Sequence, residues 1–441
     1  QTMYAWFFEC NNLVSVNLSK LDTSKTTSLG YAFSRCKSLT DLDLSALDTS
    51  SVRSFADVFQ DCSSLRSVNL AGWDTSSGNN FRQMFYCCAA LEELDVSSFN
   101  TSSATTFEQM FYGCSSLRSL DLSHFDTGSA TTFASMFYNC ASLATLDVSM
   151  FNTAAATDLS QVFYGCKSLT ELDLSRASTA KVQTFYGMFS GCSGLKRIDL
   201  SLLDTSSATN LSYLFADCSK LEAVNFSGIN TSSATDFNHM FSGCSSLASL
   251  DLSSFDTAVA KNLSYLFFGC SSLRALNLSS FDTSNVEEMV YPFSGCSKLA
   301  EVTFGVSFAW VGSKCFLPQP SAGDIPGADG LWHAASDGAS YRPSAVPGNK
   351  ADTYRAVAPD GEGDAAEDGA ESASGAGAAE DAGNAGRAVS ESAADAAGGA
   401  STPNSENYAI AAEGMMAAAR EDYITVLAMA NPIAAAPRVL A

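Results

Sequence analysis

The sequence has little positive charge and little histidine. It contains 24 Lys and Arg against 47 Asp and Glu, with only 3 His, so its net charge is −23 at pH 7. A nucleic-acid binder needs clustered Lys and Arg to displace the counterions of the phosphates. The charge balance therefore argues against a nucleic-acid partner and favours a basic or cationic one.

Long apolar runs are also missing. The most apolar late stretch, 423–437, is short for a bilayer and contains Asn431 and Pro432, so we expect no membrane insertion of this chain. No signal peptide, a charged segment followed by an apolar one, precedes the first repeat, and Gln1 already lies inside that repeat. We therefore expect a chain that is truncated at its N-terminus.

The main positive feature is a ladder of cysteines. Twelve of the 14 cysteines recur every 26 residues, and a period of this length predicts a solenoid of about twelve coils. We number the coils one to twelve by these residues: Cys10, Cys36, Cys62, Cys88, Cys114, Cys140, Cys166, Cys192, Cys218, Cys244, Cys270 and Cys296.

Each repeat carries two local patterns. Apolar residues six and eight positions after the cysteine flank a polar residue, as in 120–122, which is the period-2 pattern of a short strand. Before the cysteine, segments such as 107–111 space their apolar residues at i, i+3 and i+4, which predicts one helical turn. The predicted fold class is an α/β repeat solenoid with one short parallel strand and one helical turn per coil.

The combination of Leu-x-x-Leu-x-Leu with Phe-x-x-Cys-x-x-Leu resembles the BspA-like leucine-rich-repeat family of bacterial surface proteins, in its 26-residue variety. This resemblance implies an extracellular location on the bacterial cell surface. It also implies a non-catalytic function in interaction or adhesion, with host proteins, glycans, or surface proteins of other bacterial cells as partners. The alternative is a structural spacer or stalk that displays another domain of a larger surface protein.

Composition and resemblance together predict four segments. Residues 1–304 form the solenoid, and 305–355, which contains Trp332 and Tyr341, resembles a C-terminal cap module. Residues 356–406 consist almost entirely of Ala, Gly, Asp, Glu and Ser, which predicts a disordered acidic linker. Residues 407–441 are an Ala-rich tail that could form a short helix.

A row of acidic residues in the middle of the predicted strands is the first candidate binding site. Carboxylates on neighbouring strands, ~5 Å apart, repel each other, so the row needs compensation. This could come from a cation, a basic partner, raised pKa values, or hydrogen bonds from the serine two residues later in each repeat. The longest unbroken run is Asp95, Asp121, Asp147, Asp173 and Asp199.

Four tyrosines two positions before the cysteine form a second candidate. They lie in the same central coils and we expect their rings to be half exposed, either as packing at the solvent edge or as a binding stripe. We call these residues the tyrosine stripe: Tyr86, Tyr112, Tyr138 and Tyr164.

Catalytic and metal-binding patterns are lacking. His124, His239 and His333 are isolated in the sequence, and no zinc-protease, nucleophile or phosphate-loop motif occurs, so we expect no enzyme activity and no cofactor. The cysteine ladder has no Cys-x-x-Cys pair for a metal, and its parallel side chains are poorly placed for disulfides, so we expect buried, reduced thiols. Only Cys87 and Cys315 lie outside the ladder.

Overall fold

The chain forms a β-solenoid of about ten turns, which a computed structural model describes for residues 2–358. Isolated β-bridges join each coil to the next at one equivalent position, from Ser28 to Glu288, and each bridge spans 26 residues. The Phe, Leu and Cys positions of the repeat point inward, and Cys114 is fully buried. Stacking is required because a single coil would expose its apolar face to water.

The number of regular turns is smaller than the twelve cysteines predict. The first repeat has a neighbour on one side only and its Cys10 is exposed, whereas the last repeat continues into C-terminal strands. The predicted linker 356–406, apart from its first three residues, and the predicted tail 407–441 lie outside the described residues.

Residues 2–358 contain ten short strands. They are β1 (Asp41–Asp43), β2 (Ser67–Asn69), β3 (Arg197–Asp199), β4 (Ala223–Asn225), β5 (Ser249–Leu250), β6 (Ala275–Leu278), β7 (Glu301–Phe304), β8 (Trp332–Ala334), β9 (Ser340–Tyr341) and β10 (Asp352–Arg355). One 3₁₀ helix spans Pro343–Ala345. Strands β1 and β2 pair in parallel, as do β3 and β4, and a six-stranded sheet has the order β5-β6-β7-β10-β8-β9.

The strands of the solenoid come from the predicted positions. In β1, Leu42 is buried and its two neighbours are exposed, as the period-2 pattern requires. The sequence predicts such a strand in every coil, but among the described residues coil one and coils four to seven have no assigned strand.

The predicted helical turn is wrong. In every repeat, the residue five positions before the cysteine and the residue one position before it have positive φ, between 49° and 81°. In coil five these are Gln109 and Gly113, and a right-handed helix needs φ near −63°. The Phe111 N–H bonds to the carbonyl of Met136 in the next coil at 2.9 Å, whereas the Tyr112 N–H turns back to Gln109 at 3.2 Å. The segment is a series of tight turns whose alternate N–H groups join neighbouring coils.

The cysteine ladder is a ladder of hydrogen bonds. The Cys140 thiol donates to the carbonyl oxygen of Phe111 at 3.1 Å, and the equivalent bond recurs from Cys36 to Cys296 at 3.0–3.2 Å. The twelve cysteines of the ladder are free thiols, and burial raises the pKa of the Cys62 thiol to about 12. Each thiol therefore keeps the proton that it donates to the neighbouring coil.

Residues 305–358 lie against the last coil of the solenoid. Strand β10 runs antiparallel to β7 and to β8, and β8 pairs with β9. The side chains of Trp332 and Tyr354 are fully buried there, and the Thr303 and Thr353 hydroxyls lie 2.8 Å apart across the β7–β10 pair. The function of 305–355 as a cap stays a prediction.

We predict that replacing Cys140 with Ala lowers the free energy of unfolding by about 1–2 kcal/mol, because it removes a buried thiol and its bond to the Phe111 carbonyl. Urea unfolding followed by circular dichroism measures the loss. The matched control is Cys10→Ala at the exposed end of the ladder, which should change stability by less than about 0.5 kcal/mol. Equal losses in the two variants would show that the buried thiols add nothing specific.

Candidate functional site

Each member of the acidic run closes a turn with the serine two residues later. Asp121 Oδ1 accepts a hydrogen bond from the Ser123 N–H at 3.0 Å, and Asp147 Oδ1 accepts one from the Ser149 N–H at 2.9 Å. Hydrogen bonds from these serines, through backbone and side chain, lower the pKa of both carboxyl groups. The pKa is lowered in the same way at the other members of the run, Asp95, Asp173 and Asp199.

The directions of these pKa shifts decide between two of the predicted ways to compensate the repulsion within the acidic row. Raised pKa values are wrong for this row, because all five carboxyl groups are shifted toward the ionised form. The hydrogen bonds from the serines are present, but each serine reaches a single carboxylate and does not neutralise its charge. The row therefore faces solvent as a line of anions.

The identity of the residues in this row differs between paired strands and the central coils, although Asn225 and Asp251, on neighbouring coils, do not pair with each other either. Asn69 Nδ2 donates to Asp43 Oδ1 at 3.0 Å where β1 pairs with β2, and Asp199 lies opposite Asn225 where β3 pairs with β4. From Asp95 to Asp173 each aspartate has another aspartate on the next coil, and coils four to seven have no assigned strand, as is also true of coil one. Like charges directly opposite each other destabilise a strand pair.

A groove of about 1000 Å³ lies over the strand positions of coils five to nine. Its rim carries five carboxylates, and Arg197 is the one basic residue among the described residues that line it. The acidic lining residues are Asp121, Asp147, Glu171, Asp173 and Asp199. Its floor consists of the apolar residues six positions after each cysteine: Leu120, Leu146, Leu172, Ile198 and Val224.

The groove contains four of the five predicted aspartates. Asp95 does not line it, and the groove extends further toward the C-terminus than the acidic run, as far as Asn225. Glu171, Arg197 and the apolar floor were not predicted as site residues. Leu172 and Val224 in the floor are partly exposed, so apolar surface is accessible between the charges.

The tyrosine stripe is a stack of parallel rings. Tyr86 and Tyr112 lie 4.5 Å apart between ring centroids, Tyr112 and Tyr138 lie 4.3 Å apart, and Tyr138 and Tyr164 lie 4.5 Å apart. Three of the rings are half-buried as predicted, but Tyr138 is buried, with 3% of its surface exposed. Because the rings cover one another's faces, the exposed parts of the stripe are ring edges. None of the four is among the residues that line the groove.

A second aromatic stack was not predicted. The His239 ring lies between Tyr213 and Tyr265, with centroid distances of 4.5 and 4.4 Å, and burial lowers the pKa of His239 to about 4. The signal in the sequence is the position five residues before the cysteine, which is aromatic in coils nine to twelve. The recurrence of aromatic residues at this position indicates the stack, whereas His239 taken alone does not.

One buried carboxyl group lies outside the groove. The Asp57 side chain is 2% exposed, and among the described residues its Oδ1 has no hydrogen-bond partner. Its Oδ2 lies 4.0 Å from Arg82 Nη1, and Arg82 Nε also lies 3.5 Å from Glu108 Oε2. Burial raises the pKa of Asp57 to about 6, against the opposing effects of Arg82 and the Tyr31 hydroxyl.

Residues 2–358 contain neither a metal-binding cluster nor a membrane-spanning helix. No group of three or more His, Cys, Asp or Glu side chains there is arranged to hold a metal ion. That part of the chain has no helix of the length and hydrophobicity needed to cross a bilayer.

A protein-family model matches most of the solenoid. The family described as "Mycoplasma protein of unknown function, DUF285" matches residues 1–120, 87–200 and 184–304. Nothing among curated proteins matches the chain.

Several solved structures are similar at low identity. A leucine-rich repeat protein from Bacteroides ovatus is 20% identical, with a TM-score of 0.36, over 68% of this chain and 80% of that one. A leucine rich cell surface protein from Faecalibacterium prausnitzii is 18% identical, with a TM-score of 0.37, over 66% of this chain and 79% of that one. A leucine-rich repeat protein from Eubacterium ventriosum is 17% identical, with a TM-score of 0.31, over 64% of this chain and 82% of that one.

We predict that Asp57→Asn makes the protein more stable at pH 7.5 but not at pH 4. The unfolded chain has an Asp pKa near 3.8 and the folded chain about 6, so the stability from this group is full below pH 3.8 and is lost as the pH rises through about 6. Asn cannot ionise and tolerates the φ of 58° at this position, so the gain at pH 7.5 should be about 1–3 kcal/mol. Urea unfolding at the two pH values measures it.

The control for this prediction is Asp61→Asn. Asp61 has a similar φ of 57°, but 33% of its side chain is exposed, so its replacement should give no comparable gain at pH 7.5. If Asp57→Asn changed stability equally at both pH values, ionisation of Asp57 would not be the cause.

Proposed function

This chain belongs to the family described as Mycoplasma protein of unknown function, DUF285, and from that premise we propose that it is a non-catalytic interaction protein of the bacterial cell surface. The DUF285 repeat fits a BspA-like leucine-rich-repeat protein. The observation that carries the proposal is the groove of coils five to nine, in which carboxylates surround an apolar floor.

The composition of the groove suits a contact surface. Protein interfaces combine an apolar centre with a polar rim, and here the apolar floor is bordered by Asp121, Asp147, Asp173 and Asp199. The turns closed by Ser123 and Ser149 fix two of these carboxylates before any partner arrives. Fixed side chains lose little entropy on binding, which favours affinity.

The proposed partners are surface proteins or glycans of a host or of other bacteria. The tyrosine stripe is a second contact region of the same proposal, through the ring edges of Tyr86, Tyr112 and Tyr164. Tyr138 is buried between two of its neighbours, so its replacement would disturb packing as well as any contact.

The test is binding of the full chain to arrayed surface proteins and glycans, with one groove-blocking variant. Thr145 is exposed and lines the groove, so Thr145→Trp should fill its centre and weaken saturable binding at least ~10-fold. The matched control is Thr131→Trp, the same change at an exposed position that does not line the groove. Binding that survives Thr145→Trp unchanged would contradict the groove as the contact surface.

The second candidate function is a spacer, and the unbroken series of bridges favours it. Ten steps from Ser28 to Glu288, each ~4.8 Å, give a continuous rod of about 48 Å. A spacer needs no ligand. If the unmodified chain showed no saturable binding to any arrayed protein or glycan, the spacer function would be favoured over the interaction function.

A further inference from the structure

We propose that a notch in coil seven binds an aromatic side chain from an acidic segment of a partner protein. The notch is the gap over Ala177, bordered by Phe151, Leu159 and Leu174. Arg176 lies beside it in the sequence. None of these residues lines the groove, so the inference goes beyond the proposed function and adds a separate contact surface.

The first step is a missing side chain in the core. The residue eleven positions after the cysteine is Leu, Ile, Phe or Trp in coils one to eleven, except in coil seven, where it is Ala177. In coil six the equivalent Phe151 ring packs on Phe133 at 5.9 Å between centroids. Leu159 follows Phe133 by one repeat, so it is the residue that a ring at position 177 would cover. Ala177 therefore leaves the space of a large side chain over Leu159.

The second step is that this space is open to water. Ala177 is partly exposed, whereas the equivalent residues of the other coils from two to eleven are buried. Among these coils, Leu174 at 7% and Leu159 at 4% are the most exposed residues at their positions of the repeat. Phe151, at 8%, is exceeded at its position by Ala177 alone. Three positions of the repeat thus have their highest exposure at one place, so the walls have not closed over the gap.

The third step is the rim of the notch. In coils one to eleven, the residue ten positions after the cysteine is a large apolar one only in coils six and eight, the two neighbours of coil seven. These residues are Met150 and Leu202, which are 54% and 67% exposed. Arg176 has the same position in coil seven, with its Nη1 3.9 Å from Met150 Sδ. An apolar gap with an arginine at its edge is typical of the residues that dominate binding at protein interfaces.

The fourth step is the local charge. Residues 176–181 contain Arg176 and Lys181 and no acidic residue, in a chain with a net charge of −23. The position twelve residues after the cysteine is Asp or Asn in the other coils from one to eleven, but it is Ser178 here. Neither Arg176 nor Lys181 forms an ion pair with another described residue. Carboxylates on a partner would complement this corner of the coil.

Size and charge together define the partner. Coils five and six place Phe125 and Phe151 at this position of the repeat, so a phenyl ring matches the space over Ala177. The guanidinium of Arg176 can lie over such a ring, which adds a cation–π contact. A basic segment would be repelled by Arg176 and Lys181, and a neutral glycan would complement neither the apolar gap nor the charge.

The test measures binding of short fluorescent peptides to the full chain by anisotropy. Glu-Glu-Phe-Glu-Glu should bind saturably, although the net charge of −23 repels it. Glu-Glu-Ala-Glu-Glu, without the ring, and Gln-Gln-Phe-Gln-Gln, without the carboxylates, should each bind at least ~10-fold more weakly. The proposal is overturned if the first peptide does not bind saturably or if all three bind equally.

Two variants locate the binding. Ala177→Phe supplies the missing ring from within the coil, and Arg176→Gln removes the cation, so each should weaken binding of Glu-Glu-Phe-Glu-Glu at least ~10-fold. The matched control is Ala46→Phe, which adds the same ring at an exposed position of coil two and should leave binding unchanged. Equal losses in Ala177→Phe and Ala46→Phe would contradict a site in coil seven.

Two further measurements test the notch without a peptide. Ala177→Phe should raise the urea midpoint of unfolding, because the added ring buries apolar surface in an open gap. A lower midpoint would mean that the ring does not fit, which would overturn the notch. If the unmodified chain sediments as a dimer and Ala177→Phe as a monomer, a second copy fills the notch and the acidic partner is overturned. Array binding in Thr145→Trp tests the groove alone, so the proposed function and this proposal can fail separately.

Discussion

The structure depends on one constraint, the constant 26-residue length of every coil. Because no coil gains or loses a residue, each side chain meets its own equivalent on the next coil, as the bridges from Ser28 to Glu288 show. This repetition favours residues that make a stabilising contact with the same repeat on the next coil. Phe111 stacks on Phe137 at 5.6 Å between centroids, and the Cys140 thiol bonds to the carbonyl of Phe111.

The same constraint works against charged groups. An aspartate placed once in the repeat becomes a column of aspartates, and the column must be broken by amides or compensated from outside. Asn69 and Asn225 interrupt the row in paired strands, whereas the central coils keep the acid. The charge of the groove therefore depends on the choice between Asp and Asn at one position of the repeat.

Much of the fold could be predicted from the sequence because it depends on spacing. The cysteine period predicts the stacking, and the alternation around Leu42 predicts β1. The helical turn was mispredicted because apolar spacing in 107–111 does not reveal φ. Gly113 gives a hint of left-handed backbone one position before the cysteine, but Gln109 gives none, and both have positive φ.

The candidate site was predictable in part for a related reason. The acidic row and the tyrosine stripe are repeats of single positions, so the sequence shows them directly. The groove floor around Leu172 and Val224 depends on how far neighbouring coils separate, which is a property of the stack and not of one repeat. Burial of Tyr138 likewise depends on the two rings beside it.

Opening one face of this solenoid does not require the coils to come apart. Across coils four to seven the bridges from Asn80 to Thr184 continue, and so do the thiol bonds of Cys114, Cys140 and Cys166 at 3.1–3.2 Å. Stability in a repeat array is a sum over neighbouring interfaces, so these contacts hold the stack together in coils that have no assigned strand. The missing strand pairing is therefore confined to one face of the solenoid.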